Sequence, residues 1–238
     1  MNSIFDCKLY DVSLSSLDER ITVTDIRETL QVQSGRRESI GVEVRFCIHE
    51  EDPVRRREVM SRIITWGFDG GLMTVSGRPG QRLRVRCTGL PALSDHDWTE
   101  EMSLHFVSAH MPWWESSTPV MVSGNSILTL DVPGDAPLTA VEAILVNVGT
   151  DPVTQLTMRC HLSEITFRGI SLNPGSIFNL SYNEGHLLAW VDGESVLHRR
   201  TVQSSDELLI PCGRASTVYA TAEGEPLQAT FTVRGRFA

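Results

Sequence analysis

MPWWESS, residues 111–117, sets two of the chain's five tryptophans side by side behind a proline. Successive residues of an extended strand point to opposite faces. Trp113 and Trp114 therefore cannot fill one core from a strand: either one ring is exposed, or two surfaces meet here. The texture of the chain changes at the same place. Upstream lie long strand patterns and a helix; downstream, from about residue 118, short strands alternate with Gly, Pro, Asn and Asp. The predicted domains are 1–116 and 117–238, with the last strand able to return towards the first domain. Pro112 is expected to end the last strand of the first domain, with Trp113 and Trp114 as junction residues.

With 238 residues, 41% hydrophobic and 21% charged, the chain has the composition of a folded soluble protein that needs no disulfide or metal staple. A formal charge of −9 excludes a broad nucleic-acid footprint, which requires a basic surface. Lys8 is the only lysine; every other cation is arginine. Arginine is enriched at protein interfaces and lysine depleted, although genome composition produces the same bias. Cys7, Cys47, Cys87, Cys160 and Cys212 form no CxxC or CxxH pair, so zinc has no support, and an odd count fits a reducing compartment. The start, MNSIFDCKLYDVSL, has no export-length apolar run, and no window is long enough to span a bilayer. The expectation is an intracellularly made, soluble protein with no membrane partner.

Working back from the tryptophans, MSLHFVSAH (102–110) reads as a strand. ITVTDIRETLQV (21–32) and SIGVEVRFCI (39–48) read as a hairpin around SGRR (34–37). In its second strand Ile40, Val42, Val44, Phe46 and Ile48 share one face, with Glu43 and Arg45 on the other. A helix is predicted over 52–66, with Asp52 as N-cap, Pro53 in the first turn and Gly67 as the stop. Val59, Met60, Ile63 and Ile64 form its apolar stripe, and its arginines face outward. The run Arg55, Arg56, Arg57 reads either as a solvated face or as an intersubunit contact. Two further strands flank SGRPGQ, and in the second Arg82, Arg84 and Arg86 alternate with Leu83, Val85 and Cys87, leaving one very basic face.

Downstream, eight or so short strands with regular turn signals and no helix indicate a β-sandwich. Asp192–Gly193 is a strong hairpin signal, and AEGEP (222–226) marks another turn.

Chemistry finds little support. His105 and His110 are five apart on a predicted strand and so do not share a face. His161 with Glu164, and His186 with Glu184, match no metal spacing. Ser195 lacks the second glycine of a nucleophile elbow and its strand–turn–helix context. GFDGG and SGRPG lack the ending of a phosphate loop. The pairs Glu100–Glu101 and Asp206–Glu207 would need a cleft to serve a glycosidase. No catalytic, cofactor-binding or metal residue is assigned.

The order of the pieces resembles the distal tail proteins of long, non-contractile-tailed bacteriophages, of the kind found in prophages of Gram-positive bacteria. The resemblance lies in TWGFDGGLMTVSGRPGQRLRVRCTGLP, then Trp98, Phe106, Ala109 and PWWE, and then VNVGTDP, LLAWVDGESVL, SSDELLIPCG and TFTVRGRF. It spans nearly the whole chain, through packing and turn motifs rather than catalytic ones. It implies a mainly β architecture: an N-terminal β-sandwich with one helix and a β-hairpin, then a galectin-like β-sandwich. It also implies a homo-hexameric ring at the distal end of the tail, around the DNA passage. The ring would join the tail tube protein to the baseplate or a tail-tip, host-recognition protein, with the tape measure as a further candidate partner. The location implied is the virion tail after synthesis in the host bacterial cytoplasm, with no cofactor, no enzymatic activity and no specific nucleic-acid binding. Arg55, Arg56, Arg57, Arg82, Arg84 and Arg86 are then candidate subunit contacts. The alternative is a carbohydrate-binding sandwich contacting the host surface. Its candidate sugar contact is Trp190, although the apolar run LLAWV is more typical of a buried strand. A cell-wall glycosidase is the weakest reading.

Overall fold

The long hairpin of the first half is β3 (Ile21–Gln33) and β4 (Arg36–Ile48), which follow β1 (Cys7–Leu9) and β2 (Val12–Ser13). The computed structural model describes residues 4–91, 101–161, 163–183 and 185–238, so Trp98, Glu100 and Glu184 lie outside the described residues. The hairpin turn is tighter than its sequence implies. Ser34 (φ 51°) and Gly35 (φ 76°) make a two-residue turn, while Arg36 and Arg37 already pair with Gln33 and Val32. Ile40, Val42, Val44, Phe46 and Ile48 are all buried, and Glu43 pairs with Arg45 on the other face (3.0 Å).

The helix α1 (Pro53–Phe68) starts as its sequence dictates. The Asp52 carboxylate accepts from the Val54 amide (2.8 Å) and Pro53 fills the first turn. It ends later than expected. Gly67 is buried inside the last turn against Leu104 and Phe106, so its missing side chain serves close packing rather than termination. The chain turns at Gly70 (φ +66°) and Gly71, where a Cβ would collide with the Val85 carbonyl and the Tyr10 ring respectively. The glycines of GFDGG therefore serve backbone crossing, and no helix follows them.

Next come β5 (Gly71–Val75), β6 (Gln81–Gly89), β7 (Met102–Ser108) and β8 (Trp114–Ser116). The strands run β2-β1-β5-β6-β7-β4-β3, all antiparallel, with β8 added to the first residues of β6. Leu83, Val85, Leu104, Phe106, Val42 and Val44 form the buried face. Val59, Met60 and Ile63 of α1 are buried with them, and Trp66 meets Phe106 edge-on at 6.4 Å. Each such buried aliphatic side chain contributes about 1.5–3 kcal/mol.

An ionic knot ties the approach to β3 onto the helix. The Asp18 carboxylate, on a side chain only 7% exposed, accepts from Arg20 Nε (2.7 Å) and Nη2 (2.8 Å), and from Arg62 Nη1 (3.2 Å). Arg20 also donates to Glu50 (2.5 Å). Arg62 is thus a partner of Asp18 rather than a purely outward-facing cation.

Contacts divide the chain into two units, Met1–Ser117 and Thr118–Ala238. The second unit is a β-sandwich. One sheet joins β10 (Ile127–Val132), β12 (Val153–Cys160), β13 (Ser163–Leu172) and β18 (Arg214–Ala222) in the order β10-β18-β12-β13. The other joins β9 (Val120–Gly124), β11 (Thr139–Asn147), β14 (Ile177–Asn183), β15 (His186–Val191), β16 (Glu194–Ser195) and β19 (Leu227–Val233) in the order β16-β15-β14-β11-β19-β9. The short β17 (Leu209–Ile210) pairs with β11. Alternate residues of both sheets, among them Leu130, Val141, Leu145, Leu156, Met158, Phe167, Phe178 and Phe231, form a continuous core.

Polar side chains inside this sandwich tie down its irregular connections. The fully buried Asn147 of VNVGTDP donates to the carbonyls of Asp151 (2.8 Å) and Leu172 (2.9 Å) and accepts from the Gly149 amide (2.9 Å). Glu225, in the AEGEP turn, accepts from the Thr150 amide (2.8 Å). Ser204 and Ser205 side chains receive the Thr166 and Glu164 amides (2.9 and 3.1 Å), and the Thr201 and Ser205 amides donate back to the same residues' carbonyls (2.9 and 2.8 Å), so this loop covers the edge of β13. At the DG turn Asp192 (φ 48°) and Gly193 (φ 90°) close β15 onto β16.

Two stability predictions follow from these networks. Hydrogen bonds from Arg20 are the main cause that holds the Asp18 carboxyl down to about 2. A depressed carboxyl contributes stability above the unfolded value near 4 and loses it as pH falls towards 2. The urea midpoint of the protein should fall across that window, and Asp18→Asn should flatten the fall. Asn147→Ala strands buried carbonyls and should lower stability by about 3 kcal/mol, measured by urea unfolding at neutral pH.

Candidate functional site

Trp113 and Trp114 obey the alternation that made them a puzzle. Trp114, the first residue of β8, is fully buried. Its Nε1 donates to Glu28 Oε2 (3.0 Å) on β3. Arg78, in the turn between β5 and β6, grips the same carboxylate through Nε (3.1 Å) and Nη2 (2.8 Å). Its guanidinium lies 5.5 Å from the Trp114 ring centroid. Trp113 points the other way, half-buried, with the Arg37 guanidinium 4.2 Å from its ring centroid. Pro112 does not end a strand: β7 stops at Ser108, and Pro112 lies in the bend that leads into β8.

This cluster fastens an arm. β7 joins β4 only from Gly41 onward, so residues 30–33 of β3 and 36–40 of β4 overhang the rest of the sheet, with Glu28 at the base of the overhang. Leu30 and Val32 on the overhang are 44% and 57% exposed. Glu28 and Arg37, both on the hairpin, are held by side chains from the β5–β6 turn and from 113–114. An isolated two-stranded ribbon is marginal in water, so these ties decide whether the arm is ordered.

The six arginines do not form one patch. Arg55 and Arg57 are exposed on α1 and Arg56 is half-buried; Arg55 has only a long contact to Asp52 (3.9 Å). Arg84 and Arg86 are exposed on β6, on the face opposite the buried Leu83 and Val85, whereas Arg82 is half-buried. Since α1 covers the apolar face of the sheet, the two groups look out from opposite sides of the first unit.

In the second unit Trp190 departs from the sequence expectation. Leu187, Ala189 and Val191 fill the core, and strand alternation turns Trp190 to the outer face, where it is half-buried. It lies directly across from Asn179 of β14, in an open hollow of about 480 Å³ that also takes in Ile177 and Asp192. The backbone hydrogen bond from Ile177 to Asp192 Oδ1 (2.8 Å) holds that carboxyl below the usual carboxylate range.

No group of three His, Cys, Asp or Glu residues that could hold a metal occurs among the described residues. Burial raises the thiols of Cys7 and Cys160, which makes them poor nucleophiles. Ser103 Oγ and His105 Nε2 lie 3.0 Å apart on the exposed face of β7, but among the described residues no carboxylate orients that imidazole. Ser195 is exposed at the end of β16 and is followed by a single 3-10 turn (Leu197–Arg199) rather than the α-helix of a nucleophile elbow. His161 and Glu164 flank the β12–β13 turn, and Asp206 pairs with Arg200 (3.2 Å).

No family model and no curated protein sequence matches the chain. Solved structures do match. The Dit protein (gp 19.1) of phage SPP1, described as a paradigm of the hub adsorption apparatus in Gram-positive infecting phages, is similar at a TM-score of 0.69 and 13% identity. That match covers 98% of this chain and 99% of that one. A chain of the phage P2 baseplate in its activated conformation with Ca is similar at a TM-score of 0.47 and 8% identity, over 97% of each chain. The first likeness shows that this chain has the fold of the SPP1 protein from end to end, a mainly β architecture with one helix.

If Glu28 holds the arm, Glu28→Ala should lower stability by about 1–3 kcal/mol through the stranded indole N–H. Amide hydrogen exchange should rise over residues 28–40 more than in the rest of the first unit.

Proposed function

We propose that this protein is a structural component of a phage tail, forming a ring at the distal end of the tail tube. The observation that carries the reading is the end-to-end fold likeness to a protein described as part of a hub adsorption apparatus. In this reading the ring is a homo-hexamer that joins the tube protein to a baseplate or host-recognition protein and surrounds the DNA passage. It works by complementary surfaces and catalyses nothing. The tape measure is a further neighbour of such a ring, and the virion tail is its location.

Features of the first unit support the reading. A rotational ring uses two different faces of each subunit, because the contact is heterologous. Arginines on opposite sides of the unit, with β3 and β2 at the two ends of its strand order, provide unlike surfaces for such contacts. Arg55, Arg56 and Arg57 meet one neighbour and Arg82, Arg84 and Arg86 face elsewhere in the assembly. Pro112, Trp113 and Trp114 act as the domain junction, where the first unit hands over to the second. A chain with net charge −9 also suits a passage through which DNA slides without adhering.

A second reading, a carbohydrate contact at Trp190, is favoured by one observation: its ring is half-exposed in a hollow beside Asn179. A glycan array probed with the protein and with Trp190→Ala tests it, and loss of a signal in the variant would support it.

The ring reading is tested by sedimentation and negative-stain microscopy of the purified protein at high concentration. Closed rings of uniform subunit number are the expected result, and a monomer that also fails to join purified tail tubes would overturn it. The charge reversal Arg55→Glu should weaken ring formation at least tenfold while leaving the melting temperature of the monomer unchanged.

A further inference from the structure

The outer face of the β10-β18-β12-β13 sheet is polar, and the ring reading makes no use of it. An open hollow of about 780 Å³ lies on this face, within the range of ligand clefts. Arg159 of β12 lies directly across from Tyr219 of β18 on one side and from Glu164 of β13 on the other. Thr157 lies across from Thr221 one step along the same face, and His161 and Arg214 complete the charged lining.

The charges are available. Among the described residues neither Arg159 nor Arg214 makes an ion pair, although most of the first unit's buttressing arginines do. Glu164 is the only carboxylate among the residues that line the hollow, so the lining carries an excess of positive charge in a chain of net charge −9. Tyr219 is 40% exposed and lines the hollow.

We infer that this face binds an anionic carbohydrate, a sugar or polyol chain carrying phosphate or carboxylate groups. Guanidinium forks match planar carboxylate and phosphate oxygens. Threonine hydroxyls donate and accept, as polyol hydroxyls do, and an exposed aromatic ring stacks on the apolar face of a sugar. A protein partner would need an apolar centre to anchor it, and this face presents threonines and charges instead. The inference does not depend on the ring reading, and it concerns the opposite sheet from Trp190.

Titration calorimetry of the full chain with four probes tests it: a glycerol phosphate oligomer, a glucuronate-containing oligosaccharide, a neutral maltooligosaccharide and inorganic phosphate. At least one of the two anionic chains should bind saturably, and more weakly as salt rises. Binding of only the first would identify phosphate as the recognised anion, and of only the second, carboxylate. The exposed double variant Arg159→Gln with Arg214→Gln should weaken that binding at least tenfold with an unchanged melting curve. Tyr219→Ala should weaken the saccharide several-fold, and Trp190→Ala should leave it unchanged. The inference fails if neither anionic chain binds, if inorganic phosphate alone binds, if the neutral sugar binds equally well, or if the arginine variant binds like the parent. A change of oligomeric mass in the arginine variant would assign the face to a protein neighbour and overturn the inference as well.

Discussion

One carboxylate, that of Glu28, meets three demands in the first unit. A buried indole N–H must find an acceptor, an arginine in a tight turn must find a counter-ion, and an overhanging hairpin must be held against its sheet. Trp114, Arg78 and β3 meet at that group. Exposed ion pairs contribute little, but a bidentate guanidinium that shares its carboxylate with a buried donor has fixed geometry on both sides. Order in the arm therefore rests on a few side chains rather than on a core, because the arm has almost none of its own.

The second unit solves a similar problem mainly through backbone amides. Its irregular connections are held by Asn147, Glu225 and the serines at 204 and 205, each of which accepts from a backbone amide, Asn147 also donating to carbonyls. A buried loop without such partners would strand its polar groups. The two sheets are left free to differ outside the core. One carries threonines and unpaired cations, the other a tryptophan with Asn179 and exposed aliphatics such as Ile144 and Ile177.

Much of this was legible locally. Alternation placed Ile40 to Ile48 and Leu83 to Val85 correctly, and Asp52–Pro53 announced the helix. These signals depend only on period and on capping chemistry. Gly67 misled because a glycine that permits close packing and a glycine that ends a helix look alike in sequence. Trp190 misled because the apolar composition of LLAWV hid its alternation: every second residue is buried, and Trp190 is not one of them. The partners of Trp114 carried no local signal. Glu28 is 86 positions away and reads as an ordinary surface acid until the sheet is assembled. The six arginines could be recognised as unusual, but only the packing of α1 on one face of the sheet separates them into two groups.

That separation in sequence gives the first unit a direction in time. A chain leaves the ribosome from its N-terminus, at about 5–20 residues per second, and contacts between distant residues close late. Glu28 and the arm it belongs to emerge well before Trp114, which supplies the indole. Until then Arg78 can hold Glu28 but the indole cannot, and the exposed Leu30 and Val32 lie beside the unpaired edge of β3. MPWWESS is thus the last segment of the first unit to arrive, and its arrival is what locks the arm in place.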